Sequence, residues 1–110
     1  MNAAQKKAFV LRMAKALWVA TYRSVSNPEA LAAYAKLALP AIVAGGGRFL
    51  ARGVPVATKE KGLAQRTVVV EFDSVEQALA AYDSPAYQEA LKVLGPDSAE
   101  RDIRVMEMAE

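Results

Sequence analysis

The apolar residues of this chain change period several times, and the order of those changes restricts the fold more than any single motif. From Lys15 to Arg23 the period is two, with Leu17, Val19 and Thr21 on one side and Trp18, Ala20 and Tyr22 on the other. β-Branched and aromatic residues on both sides fit a strand in the middle of a sheet. Ser26-Asn27-Pro28-Glu29 then marks a helix start. Ser26 or Asn27 can cap it, Pro28 gives up no hydrogen bond in the first turn, and Glu29 complements the helix dipole. Leu31, Tyr34, Ala35, Ala38 and Ile42 follow at three- and four-residue spacing as one buried stripe. Pro40 cannot donate to the Lys36 carbonyl, which predicts a kink, and Gly45-Gly46-Gly47 ends the helix.

Period two returns over Arg48–Val54, where Phe49 and Ala51 are expected opposite Arg48, Leu50 and Arg52. Pro55–Gln65 reads as a polar connection, and the valine-dense Arg66–Phe72 as a second central strand. Ser74 with Gln77 forms a capping box for a short helix through Val75, Ala78, Leu79 and Tyr82. Ser84-Pro85 restarts a helix with Tyr87, Ala90, Leu91 and Leu94 on one face, and Gly95-Pro96 stops it. Asp102–Met108 is the last strand, with Ile103, Val105 and Glu107 opposite Arg104, Met106 and Met108. The order is β-α-β-β-α-β with the second helix broken in two. This is the α+β split βαβ, or ferredoxin-like, arrangement: a four-stranded antiparallel sheet with its helices on one face. Trp18, Leu50 and the valines of the third strand leave apolar residues on both sides of such a sheet. A second copy of the same sheet is the economical cover, which predicts a homodimer joined through sheet faces.

The chain is the size of one domain, and its 54% hydrophobic and 24% charged content is that of a globular protein. Cysteine and histidine are both absent. That excludes disulfides, thiolate nucleophiles, Cys/His zinc sites, haem held by either residue, histidine acid–base chemistry and a Ser-His-Asp triad. Carboxylate sites for Mg²⁺ or Ca²⁺ survive in principle, but no EF-hand-like acidic run exists, so neither metal nor cofactor is expected. The net charge of +2 is concentrated at the start, in Lys6, Lys7 and Arg12. Beyond them 11 basic residues face 12 acidic ones, scattered without a basic helix, so no nucleic-acid role is read. No apolar run is long enough to span a bilayer, and Arg12 cuts off Ala8-Phe9-Val10-Leu11 before it could form a signal-peptide core. A cytoplasmic location is therefore expected, with residues 1–12 a dispensable extension or the product of an upstream start codon, and residues 13–110 the domain.

Three groups of residues could carry chemistry. Gly45-Gly46-Gly47 follows a helix and precedes a strand, the reverse of a phosphate loop, and so reads as a helix terminus. Arg48 and Arg52 are expected on one strand face, with Glu71 on the neighbouring strand. Arg52 could hold a carboxylate or enolate, with Glu71 a base whose pKa burial would raise; the alternative is a structural ion pair. Tyr34, Tyr82 and Tyr87 fall on helix stripes, and Trp18 and Tyr22 on one strand face. They could line a small aromatic pocket between helices and sheet, or simply form core. Met106 and Met108 read as core or interface filler.

The chain also resembles a known family. Ala16-Leu17-Trp18-Val19-Ala20, Pro28-Glu29-Ala30-Leu31-Ala32-Ala33-Tyr34, Pro40 and Gly46-Gly47-Arg48-Phe49-Leu50-Ala51-Arg52-Gly53 are similar to DUF1330 proteins. So are Val70-Glu71-Phe72, Ser74 and Ser84-Pro85-Ala86-Tyr87-Gln88, which extends the likeness over about residues 15–108. The resemblance implies a bacterial protein of the dimeric α+β barrel superfamily, whose members include cofactor-independent oxygenases and isomerases. It supplies no reaction. The chain departs from the family in reading Val93-Leu94-Gly95-Pro96 where relatives carry an arginine, and Glu60-Lys61-Gly62 for a glutamate-glycine pair. Two functions follow as expectations: a small molecule bound or transformed without metal or cofactor, or a non-catalytic structural or stress-related dimer.

Overall fold

The computed structural model describes residues 2–5 and 14–109. The extension expected over residues 1–12 therefore lies mostly outside the described residues, as does Met13. Strands β1 (Ala16–Val25), β2 (Arg48–Gly53), β3 (Thr67–Phe72) and β4 (Ala99–Glu107) form one sheet in the order β2-β3-β1-β4. All neighbouring strands are antiparallel. Helices α1 (Pro28–Ala44), α2 (Val75–Asp83) and α3 (Pro85–Leu94) complete the split βαβ order read from the sequence. Among the described residues no helix is long and apolar enough to cross a membrane.

Local chemistry accounts for the helix boundaries. The Asn27 side chain caps α1 by accepting from the Ala30 N–H at 3.1 Å. Pro40 sits inside α1, which runs on to Ala44. Lys36 and Pro40 are both on the exposed side, where water can replace the donor that proline lacks. Gly46 takes φ 96° as α1 ends, a conformation only glycine adopts at no steric cost, and Gln77 packs directly against it. Ser84 serves two helices. Its hydroxyl donates to the Ala81 carbonyl at 2.7 Å to close α2 and accepts from the Tyr87 N–H at 3.3 Å to open α3.

Cross-strand register assigns each side chain a face, because paired residues point the same way. Ala16, Trp18 and Ala20 pair with Phe72, Val70 and Val68, and all six are buried beneath the helices. They pack against Tyr34, Ala38, Ala41 and Ile42 of α1, Ala78 and Ala81 of α2, and Tyr87, Ala90 and Leu94 of α3. The opposite, open face carries Leu17, Val19, Val69 and Met106 in its middle. Trp18 thus belongs to the helix-covered core and has no part in the need for a second cover. Leu79, expected in the buried stripe of α2, is 49% exposed. Ala78 and Ala81 take the inward positions instead and let α2 approach closely.

The register also corrects β2. Arg48 pairs with Glu71 and Phe49 with Val70, but Ala51 pairs with Val69 and Arg52 with Val68. The irregularity at Leu50 is a β-bulge, and the extra residue reverses which side chains face the helices. Arg48 is on the open face. Arg52 is on the helix face with Phe49, not beside Arg48 as simple alternation predicts.

Candidate functional site

At the end of the sheet where β3 begins, three residues form a row across three strands. Tyr22 of β1 pairs with Arg101 of β4, and its N–H donates to the Arg66 carbonyl at 3.0 Å, just before β3. All three lie on the helix face. The guanidinium carbons of Arg66 and Arg101 stand 5.9 and 5.7 Å from the centre of the buried Tyr22 ring. Arg101 is also 5.1 Å from the Tyr34 ring. These are cation–π distances, and they hold two cations against the negative faces of the rings.

Two tyrosines reach this row from the helices. Tyr34 descends from α1 and Tyr87 from α3, and their hydroxyls lie 2.6 Å apart in the core. Arg101 donates to the Tyr34 oxygen at 3.0 Å and to the Tyr87 oxygen at 3.4 Å. One phenol proton fills the bond between the two hydroxyls, and the other has no acceptor among the described residues. Burial pushes the Tyr34 phenol above its ordinary range, with the neighbouring Tyr87 adding to the effect and Arg101 opposing it. For Arg101 burial acts downward, but the oxygens of Tyr34 and Tyr87 outweigh it and the net direction is up. At neutral pH a charged Arg101 guanidinium is therefore bonded to a neutral Tyr34 phenol.

Trp18, Tyr34, Tyr82 and Tyr87, named from the sequence as pocket candidates, do converge. Trp18 packs edge-on to Tyr87 at 5.2 Å and lies 5.7 Å from Tyr82, while Tyr87 lies 6.0 Å from Tyr34. Arg52 covers Phe49 at 5.5 Å, at the margin of the group. Glu71 does not join it. Its carboxylate accepts from Arg48 at 2.8 Å and pairs with Lys15 at 3.1 Å on the open face, and these two cations hold its pKa below the usual range. An Arg52–Glu71 pair with a base of raised pKa is therefore ruled out, because the bulge at Leu50 sends the two side chains to opposite faces. The ion pair forms with Arg48.

Arg66 and Arg101 were not legible as site residues. Only the strand register, visible in the pairing of Tyr22 with both, could have marked them. Two spaces adjoin them. A small cavity of about 30 Å³ is lined by Tyr22, Tyr34, Phe49, Arg66 and Arg101 among others. An open groove of about 660 Å³ runs between α3 and β4, past Tyr82, Gln88, Leu91, Lys92, Pro96, Arg101 and Ile103. Arg101 belongs to both. No carboxylate among the described residues forms an ion pair with Arg66 or Arg101. Nor do three Asp or Glu residues gather anywhere among the described residues in a way that could hold a metal ion. What the arrangement offers chemically is the Arg101 guanidinium in the lining of a groove of mixed polar and apolar residues.

Known structures share this architecture. A protein of unknown function from Rhodopseudomonas palustris superposes with a TM-score of 0.69 at 17% identity, covering 100% of this chain and 95% of its own. A dimeric ferredoxin-like protein of unknown function from Thermobifida fusca gives 0.61 at 20% identity, covering 89% of this chain and 94% of its own. SnoaB, a cofactor-independent oxygenase from Streptomyces nogalater, gives 0.60 at 9% identity, covering 88% and 95%. At such identities the likeness establishes the ferredoxin-like α+β fold and nothing of the chemistry. No curated protein matches the chain in sequence. Residues 15–109 do match the model of the domain of unknown function DUF1330, and the chain belongs to that family.

Proposed function

We propose that this protein works as a homodimer that binds a small organic molecule, without metal or cofactor, in the groove between α3 and β4. The observation that carries the reading is Arg101. It is half-buried, bonded to two phenol oxygens, paired with no described carboxylate, and part of the lining of the groove. A desolvated cation without a counter-ion is costly, and proteins retain such groups where a ligand supplies the missing partner. Leu91, Pro96 and Ile103 line the groove and would take an apolar body. The homodimer is supported by the apolar centre of the open face and by the dimeric Thermobifida fusca protein of the same fold. The example of SnoaB supports only that such a fold can act without a cofactor.

A thermal-shift screen against small carboxylates, phenols, quinones and lactones tests this reading. A ligand at about 100 times its dissociation constant stabilises by roughly 2.7 kcal/mol, several degrees for a domain of this size. The expected result is a titratable shift that Arg101→Met removes. A flat panel would instead support a non-catalytic dimeric module, a reading favoured by the aromatic side chains that pack the core.

A further inference from the structure

We infer that residues 54–63, which leave the sheet between β2 and β3, form an arm that packs on the open sheet face of a second copy of this chain. The inference rests on the proposed homodimer and adds to it a contact that the sheet faces alone would not make.

Local chemistry builds the arm. Gly53 ends β2 at φ 147°, a conformation open to glycine and strained for residues with a Cβ, and the chain leaves the sheet there. Further on a tight turn brings it back: the Gly62 N–H donates to the Lys59 carbonyl at 2.9 Å, and Glu60 takes φ 51°. The apolar residues of this segment are not covered by the rest of the chain. Val56 is fully exposed, more so than any other large apolar residue described, and Val54 and Leu63 are 63% and 56% exposed. A lone exposed apolar side chain needs no explanation, but three within ten residues of one formed segment mark a contact surface.

The position of the arm selects its partner. A trough runs between Pro55, Ala57 and Leu63 of the arm and Thr21, Arg23 and Thr67 of the sheet. Thr21 pairs with Thr67 two residues along from the pairing of Val19 with Val69, so both threonines lie on the open face, in line with its apolar centre. The arm therefore stands at one end of the face on which a second sheet would pack. Pro55 and Ala57 line the trough, while Val54 and Val56, alternating with them, do not and remain open to solvent. Met106, on the open face opposite Leu17, is 54% exposed, so face and arm offer uncovered apolar surface side by side. A second copy laid on the face meets the arm as well. Two-fold symmetry makes the contact reciprocal, each arm lying on the other copy.

Sedimentation equilibrium over a dilution series gives the Kd of the native dimer. Val56→Ser combined with Leu63→Ser should raise it about 100-fold or more, because apolar contacts are lost from both arms at once. Val43→Ser changes a valine of similar exposure, 59%, on α1 and should leave the Kd as it is. Trp18 fluorescence should match the native protein in both variants, since neither touches the core. The chain has no cysteine, so Val56→Cys accepts a single benzophenone-maleimide probe. Mixed with heavy-isotope native chain and irradiated, the labelled protein should give mixed-isotope cross-links to peptides of β1 or β3. Cross-links confined to one chain, or a folded double variant that dimerises as tightly as the native protein, would overturn the arm contact and leave the face-to-face dimer standing. A native protein that sediments as a monomer at every concentration would overturn the homodimer and the arm together.

Discussion

The two faces of the sheet use arginine in opposite ways. On or beside the open face, Arg23, Arg48 and Arg104 each meet a carboxylate, at distances of 2.8–3.6 Å. On the helix face, Arg52, Arg66 and Arg101 meet aromatic rings instead, at 5.1–5.9 Å, and none has an ion-pair partner among the described residues. The open-face pairs are solvated and satisfied, and such pairs contribute little to stability. Of the helix-face arginines Arg66 and Arg101 are half-buried and Arg52 is exposed, and the half-buried pair without described counter-ions are the residues to suspect of function. Residue type and strand position do not separate the two groups; what surrounds each guanidinium does.

The largest test of this contrast is the core between the faces. Trp18 is 2% exposed and packs on Phe72, Tyr82 and Tyr87, so Trp18→Ala should lower stability by about 3–5 kcal/mol in denaturant titration. A loss below about 1 kcal/mol would mean that the helix face is not the structural core, and the comparison would fail. Next is the apolar centre of the open face. Val69→Lys places a charge where a second sheet would pack in the proposed homodimer and should leave a folded monomer, read by light scattering. An unchanged mass would remove the open face as the dimer interface.

Smaller effects sharpen the contrast through pH. Tyr34→Phe deletes one hydroxyl of the buried pair and should cost about 1–2 kcal/mol. The folded protein raises the Tyr34 pKa above its ordinary 10.0, so the stability this gives is complete below that value and declines as the pH climbs beyond it. The variant should therefore show a flatter alkaline limb. Glu71 has the opposite sign. Arg48 and then Lys15 depress its pKa below 4.5, so its contribution is present above that value and is lost as the pH falls through the lowered one. Glu71→Gln should give the smallest change at neutral pH and a shallower loss of stability in acid, with ligand binding untouched. If it abolished binding, the division between the two faces would not hold.

Much of the fold was legible because its signals are local. Asn27, Ser74 and Ser84 cap helices where the sequence places caps, and the alternation of β1 assigns Trp18, Ala20 and Tyr22 correctly to one face. The convergence of Trp18, Tyr34, Tyr82 and Tyr87 was likewise readable from stripes that must face the same core. The Arg52–Glu71 pairing failed for a definite reason. A bulge is a property of two strands together, and one extra residue at Leu50 inverts every assignment beyond it. Arg66 and Arg101 escaped notice because they lie 35 residues apart in sequence, on strands that are not neighbours.

The sequence by itself determined the order of elements, the position of the helix ends, the valine-rich central strands and the absence of thiol and imidazole chemistry. These depend on side-chain period, backbone conformation and composition, which act within a few residues of one another. Only the tertiary structure decided which arginines keep a counter-ion and which do not. That outcome depends on the register of β1 against β3 and β4, which seats Tyr22 between Arg66 and Arg101 and turns Glu71 and Glu100 away from them. Electrostatic partnership is a through-space quantity set by the distance between charged groups and by their solvation, and it is fixed only when the strands have paired.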